Sequence, residues 1–120
     1  MSEQIVRDFI AAWNARDLDA ICTALSPDVR YHNIPMEPLV GRETVRAAVG
    51  PLVEGCTAMD WQVHHIAAGA DGAVLTERTD RFTLNGKDLS IRVMGVFEIA
   101  DELITGWRDY FDLAEWQSQL

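Results

Sequence analysis

Apolar residues recur at helical spacing over the first part of the chain. Ile5, Phe9, Ala12 and Trp13, with Val6 and Ile10 beside them, form a broad stripe whose start Ser2 can cap. Asn14 to Asp17 breaks this helix. Asp17 can then cap a second, short helix with Leu18, Ile21, Cys22 and Leu25 on its buried side, ended by Ser26-Pro27-Asp28. Val29 to Ile34 reads as a strand entering Pro35-Met36-Glu37-Pro38, where the prolines remove backbone donors and stop the ladder. Gly41 to Val53 is a third helical stretch, with Val45, Ala48, Val49 and Leu52 on one side. Gly50-Pro51 is expected to kink or interrupt it.

Beyond Gly55 the period changes to two. Four runs rich in Val, Ile, Thr, Phe and Trp follow: Trp61 to Ala67, Val74 to Leu84, Leu89 to Ile99 and Leu103 to Phe111. Asp71-Gly72, Asn85-Gly86 and Asp101-Glu102 separate them as the turns of a hairpin meander. Helices first and strands afterwards predict an α+β fold, not alternating βαβ units. A curved, mainly antiparallel sheet with the early helices on its concave side would enclose a pocket between the layers.

One strand carries charge on its apolar face. Val74, Thr76, Arg78, Asp80 and Phe82 share a side, and Val74 and Phe82 ask that side to face inward. Arg78 and Asp80 are then buried and need partners. In the last run, Asp109 shares parity with Leu103, Trp107 and Phe111. One guanidinium and two carboxylates therefore face inward. They can form a structural ion pair, or a site in which one carboxylic acid stays protonated while the other carboxylate ionises. Tyr31 and Asn33 share a strand face and can hydrogen-bond a small polar molecule; with Asp109 they would give a water three polar partners.

Composition narrows the alternatives. At 120 residues and 48% hydrophobic, the chain is expected to form one domain over residues 1–120. A net charge of -9 argues against nucleic acid or an anionic membrane as partner. Without a basic and then apolar N-terminal pattern, or an apolar run long enough for a bilayer, the expected location is the cytoplasm. Cys22 and Cys56 are isolated, as in a reducing compartment, and read as small buried hydrophobes. His32 lies opposite Tyr31 and Asn33, and His64 and His65 point to opposite faces of their strand, so no metal is expected. Neither Ser26 nor Ser90 sits in a nucleophile elbow, and Gly69, Gly72 and Gly86 read as turn glycines without a phosphate-loop pattern.

Taken together, Tyr31-x-Asn33, Arg78-x-Asp80 and Arg108-Asp109-Tyr110-Phe111-Asp112 resemble the signature of the limonene-1,2-epoxide hydrolases. Asn33-Ile34-Pro35-Met36-Glu37-Pro38-Leu39 is similar to that family's strand-to-loop segment, and the resemblance covers nearly the whole chain. It implies an NTF2-like cone of helices on a strongly curved sheet, usually a homodimer, and cofactor-free hydrolysis of small cyclic or alicyclic epoxides to vicinal diols. Carried over by position, Asp80 is the acid at the epoxide oxygen, Asp109 the base at the water, Arg78 the bridge between them, and Tyr31 and Asn33 co-holders of the water. Attack then needs no covalent enzyme ester. Phe82, Val93 and Phe111 would form an apolar wall for a hydrophobic substrate. One expected departure is at the N-terminus, where the chain begins almost at its first helix and lacks the extension of limonene-epoxide members. Rival readings are an isomerase or polyketide cyclase on the same fold, or a small-ligand binding or dimerisation module without chemistry.

Overall fold

The turns that divide the β-rich half hold their backbones in the left-handed region: Asn85 and Gly86 at φ 52° and 77°, Asp101 and Glu102 at φ 52° and 64°. Two consecutive positive φ values define the two-residue hairpin loop whose twist matches the flanking strands, so each pair folds the chain straight back. The structure, a computed structural model, describes residues 2–120. Its element order is α1 (Ser2–Asn14), α2 (Leu18–Thr23), β1 (Leu25–Asn33), β2 (Leu39–Val40), α3 (Arg42–Gly55), β3 (Cys56–Ala68), β4 (Val74–Leu84), β5 (Lys87–Ala100), β6 (Leu103–Tyr110) and α4 (Leu113–Gln117). The strands form one sheet in the order β2-β1-β6-β5-β4-β3. Every neighbouring pair is antiparallel except β1 with β6, which run parallel.

The helices cover one face of this sheet, as the α+β pattern predicts. Val6, Phe9, Ile10 and Trp13 of α1 are buried, and Phe9 meets Trp107 edge-on at 5.0 Å and Phe97 at 6.1 Å. Trp13 stacks on Trp61 at 4.5 Å. An aromatic layer thus joins α1 to three strands, and such contacts add roughly 0.5–1.5 kcal/mol each beyond area burial. Asp17 caps α2 as expected, its carboxylate accepting from Ala20 N at 3.0 Å.

Several boundaries move. Leu25 is buried but belongs to β1, and Ser26-Pro27-Asp28 lies inside that strand instead of ending α2. The β1–β6 register shifts between Leu25 and Arg30, and a proline without an N–H is accommodated at such an irregularity. Gly50-Pro51 does not interrupt α3, which runs through to Gly55. Pro51 costs the helix one backbone bond, while Val45, Val49 and Val53 stay anchored in the core. His64 and His65 do not point to opposite faces: a bulge between Val63 and His65 lets them reach Thr79 and Glu77, neighbours on the outer face of β4. A further irregularity between Glu98 and Ile99 makes Ile104, rather than Leu103, the fully buried start of β6.

Candidate active site

The inward face of β4 is as its parity predicts: Val74, Thr76, Arg78, Asp80 and Phe82 are buried, alternating with more exposed residues. Arg78, Asp80 and Asp109 are only 1%, 3% and 4% exposed. The Arg78 guanidinium uses all five of its N–H donors. Nε and Nη2 donate to Asp80 Oδ1 and Oδ2 at 3.0 and 2.9 Å. Nη1 and Nη2 donate to Asp109 Oδ1 and Oδ2 at 3.3 and 3.1 Å, and Nη1 also donates to Thr76 Oγ1 at 3.0 Å. One planar fork therefore holds two carboxylates from two strands. Its Cζ lies 5.1 Å from the Trp61 ring centroid and 5.9 Å from that of Phe97, so aromatic faces complete the cation's shell.

The parallel pairing of β1 with β6 supplies the other half. Its register sets Tyr31 opposite Trp107 and Asn33 opposite Asp109. Tyr31 stacks on Trp107 at 3.9 Å, and its hydroxyl donates to Asn33 Oδ1 at 3.0 Å. The Tyr31 oxygen remains an acceptor and Asn33 Nδ2 a donor. Trp107 Nε1 donates to Asp109 Oδ1 at 2.9 Å, whereas the buried indole nitrogens of Trp13 and Trp61 have no partner among the described residues. Asp109 thus receives three N–H bonds, and Asp80 two.

Charge counting separates the carboxylates. One guanidinium and two ionised carboxylates would leave a buried negative charge; a single proton removes it. Burial raises the pKa of Asp80, opposed by Arg78, with the charge of Asp109 adding to the rise. That direction favours Asp80 as the carboxylate that holds the proton. Burial works against the Arg78 charge, yet Asp109 and Asp80 outweigh it and raise its pKa further. Burial, and then Asp109, also keep Tyr31 un-ionised.

Asp80, Asp109, Tyr31 and Asn33 line a cavity of about 250 Å³, just below the roughly 300–1,000 Å³ found for ligand pockets. Phe82, Val93 and Phe111 form part of its wall, as expected from the sequence. Leu39, Val49 and Leu52 close a second side and Trp116 of α4 a third. Trp116 meets Phe82 edge-on at 5.6 Å. Asp112 caps α4, accepting from Ala114 N and Glu115 N, and Gln119 tethers the chain beyond it through both Ser90 N and Ser90 O. The sequence reading misses α4, β2 and the Trp107 donor, although Asp112 before an apolar pair is a usable capping signal.

Other candidate groups stand apart. His32 bonds Met36 O, and Cys22 and Cys56 are buried free thiols whose pKa burial raises. Among the described residues no group of three or more His, Cys, Asp or Glu could hold a metal ion, and no helix is long and apolar enough to cross a membrane.

Helices packed on one face of a six-stranded, mostly antiparallel sheet make a fold shared by many solved structures. One is a putative SnoaL-like polyketide cyclase from Shewanella denitrificans, with a TM-score of 0.88 over 98% of this chain and 95% of that one at 15% identity. Another, an M. tuberculosis LEH-like epoxide hydrolase, has a TM-score of 0.84 at 34% identity, covering 99% of this chain and 88% of that one. The epoxide hydrolase EphG of Mycobacterium tuberculosis is 38% identical over 109 residues, 90% of this chain and 71% of that protein. The family model of the limonene-1,2-epoxide hydrolase catalytic domain matches residues 1–120. The chain belongs to the limonene-1,2-epoxide hydrolase family, on an NTF2/SnoaL-like fold.

Proposed function

We propose that residues 1–120 act as one epoxide hydrolase domain converting small, apolar, cyclic or alicyclic epoxides to vicinal diols, limonene-1,2-epoxide being the type of substrate. The observation that carries this reading is the Arg78 fork joining Asp80 to Asp109 at the floor of an apolar cavity. Epoxide strain drives ring opening, but water is a weak nucleophile and an alkoxide a poor leaving group. Proton transfer at both ends lowers the barrier, by on the order of 10²–10⁴-fold for each positioned group.

In this mechanism a water sits between Asp109, Tyr31 and Asn33. It gives one hydrogen bond to Asp109 and one to the Tyr31 oxygen, and accepts one from Asn33 Nδ2. The remaining lone pair faces the epoxide carbon. As the new C–O bond forms, the water proton passes to Asp109, the ring C–O bond breaks, and the Asp80 proton passes to the ring oxygen. The diol leaves, and the proton on Asp109 returns to Asp80. No covalent intermediate and no cofactor enter. Hydrogen-bonding to the fork keeps both carboxylates aimed throughout.

An isomerase or cyclase of this fold would abstract a carbon-bound proton and would not need Tyr31 and Asn33 to hold water. Chiral analysis of products from a panel of racemic and meso epoxides tests the reading: the parent should form diols, and Asp80→Asn and Asp109→Asn should be folded but inactive. Deuterium exchange into a ketone substrate without diol formation would favour the rivals, and tight binding of an apolar alcohol or amide without turnover a binding module.

The same reading includes a homodimer. Exposed Leu75, Met94 and Tyr110 support it, since they share the outer face of β4, β5 and β6, with Leu75 paired to Val96 and Met94 to Tyr110. Sedimentation should give twice the chain mass. Buried free Cys22 and Cys56 favour the cytoplasm as its location.

A further inference from the structure

Arg78 and Asp109 belong to strands that are not neighbours. β5 lies between them, and its inward residues Leu89, Ile91, Val93 and Phe97 all carry large buried side chains. The exception is Gly95, which pairs with Thr76 on one side and with Asp109 on the other. A Cβ at Gly95 would lie 2.4 Å from Arg78 Nη1, 2.7 Å from Asp109 Oδ1 and 3.0 Å from Thr76 Oγ1. All three distances fall short of van der Waals contact, and the first two lie below 3.0 Å, closer than a real Cβ approaches any neighbour. No φ in the left-handed region accounts for this glycine. What it provides is space.

We propose that Gly95 is a positioning residue: the missing side chain opens an aperture in β5 through which the Arg78 guanidinium reaches Asp109, coupling the two carboxylates. Val93 and Phe97 frame the aperture along the strand, and Thr76 seats the near edge of the guanidinium by accepting from Nη1. A methyl group at position 95 has no free volume to enter. Either the fork withdraws toward β4 and loses Asp109, or the Asp109 carboxylate turns away from it. Both separate the acid from the base while leaving the apolar walls intact.

The catalytic consequence rests on the hydrolase reading, but the aperture itself does not, so the test reads both. Gly95→Ala should lower kcat by on the order of 100-fold with KM within about threefold, as expected for roughly 1 Å of misplacement at a reacting group. Its thermal midpoint should fall by roughly 5–12 °C, the range expected for overpacking a core. Gly106→Ala serves as the control, since its Cβ would meet chiefly the movable end of Glu98, with Oε2 at 2.6 Å; it should retain parental kcat. In an Arg78→Lys background the atom nearest the new methyl is gone and Asp109 is released from the fork. There Gly95→Ala should shift the midpoint by less than about 3 °C, and, if Gly95→Ala alone does not fold, the double variant should.

Gly95→Ala with the kcat of Gly106→Ala would overturn the proposal. So would midpoint losses equal in the parent and the Arg78→Lys background, or failure of both single and double variants to fold. A parent protein inactive on every epoxide, yet showing the midpoint coupling, would refute the hydrolase reading and leave the aperture standing.

Discussion

Arg78 on β4 and Asp109 on β6 are joined by two parallel hydrogen bonds of 3.3 and 3.1 Å that cross the intervening strand β5. The fork is also bidentate to Asp80, so one cation fixes the separation and orientation of both carboxylates. Removing it strands buried charge. Arg78→Ala should destabilise the fold by about 3–5 kcal/mol, the range for breaking a buried ion pair, as read by urea denaturation. Arg78→Lys should keep more of the stability but lose turnover, because an ammonium cannot make two planar forks.

Asp80 makes stability depend on pH in a direction opposite to that of an ordinary salt-bridged carboxylate. Its folded pKa is raised above the unfolded value of 3.8, chiefly by burial, so folding takes up a proton. The resulting contribution is fully present below that value and is lost as pH rises through the folded pKa. Asp80→Asn should flatten this part of the curve in melts across that window. In the parent, kcat should fall on the alkaline side as Asp80 loses the proton it must donate.

Trp107 holds Asp109 by an N–H bond of 2.9 Å while stacking on Tyr31. Trp107→Phe keeps most of the packing and removes the donor. A hydrogen bond to a charged group is worth about 1.5–3 kcal/mol, so kcat should fall by roughly tenfold or more, with KM little changed, in steady-state assays.

The inward alternation of β4 was legible because a two-residue period and two apolar ends fix which face Arg78 and Asp80 share. Asp109 followed from the same rule on β6. The grouping of Tyr31 and Asn33 with Asp109 came from their chemistry and the family resemblance, but the pairing that produces it was not legible: parity orients side chains within a strand and does not say that β1 runs parallel beside β6. Gly95 has no side chain with which to announce itself. Leu25 and Pro27 read as a helix end because an apolar residue before proline fits either assignment, and tertiary pairing decided for β1. The short α4 lacks a buried stripe of its own, so periodicity could not find it even though Asp112 marked its start.

Trp116 narrows the pocket against Phe82. Trp116→Ala should raise kcat/KM for bulky epoxides relative to small ones, measured by direct competition. The acid–base residues are untouched, so turnover of a small epoxide should change by less than about tenfold, about 1.4 kcal/mol in barrier height.

The central claim is that water, held by Asp109, Tyr31 and Asn33, attacks the epoxide directly. A single turnover in oxygen-18 water, with protein in excess over epoxide, tests it most directly. The diol should carry one labelled oxygen from that first turnover, and peptides containing Asp80 and Asp109 should gain no mass. An unlabelled first-turnover diol, with the label appearing in either aspartate, would contradict it.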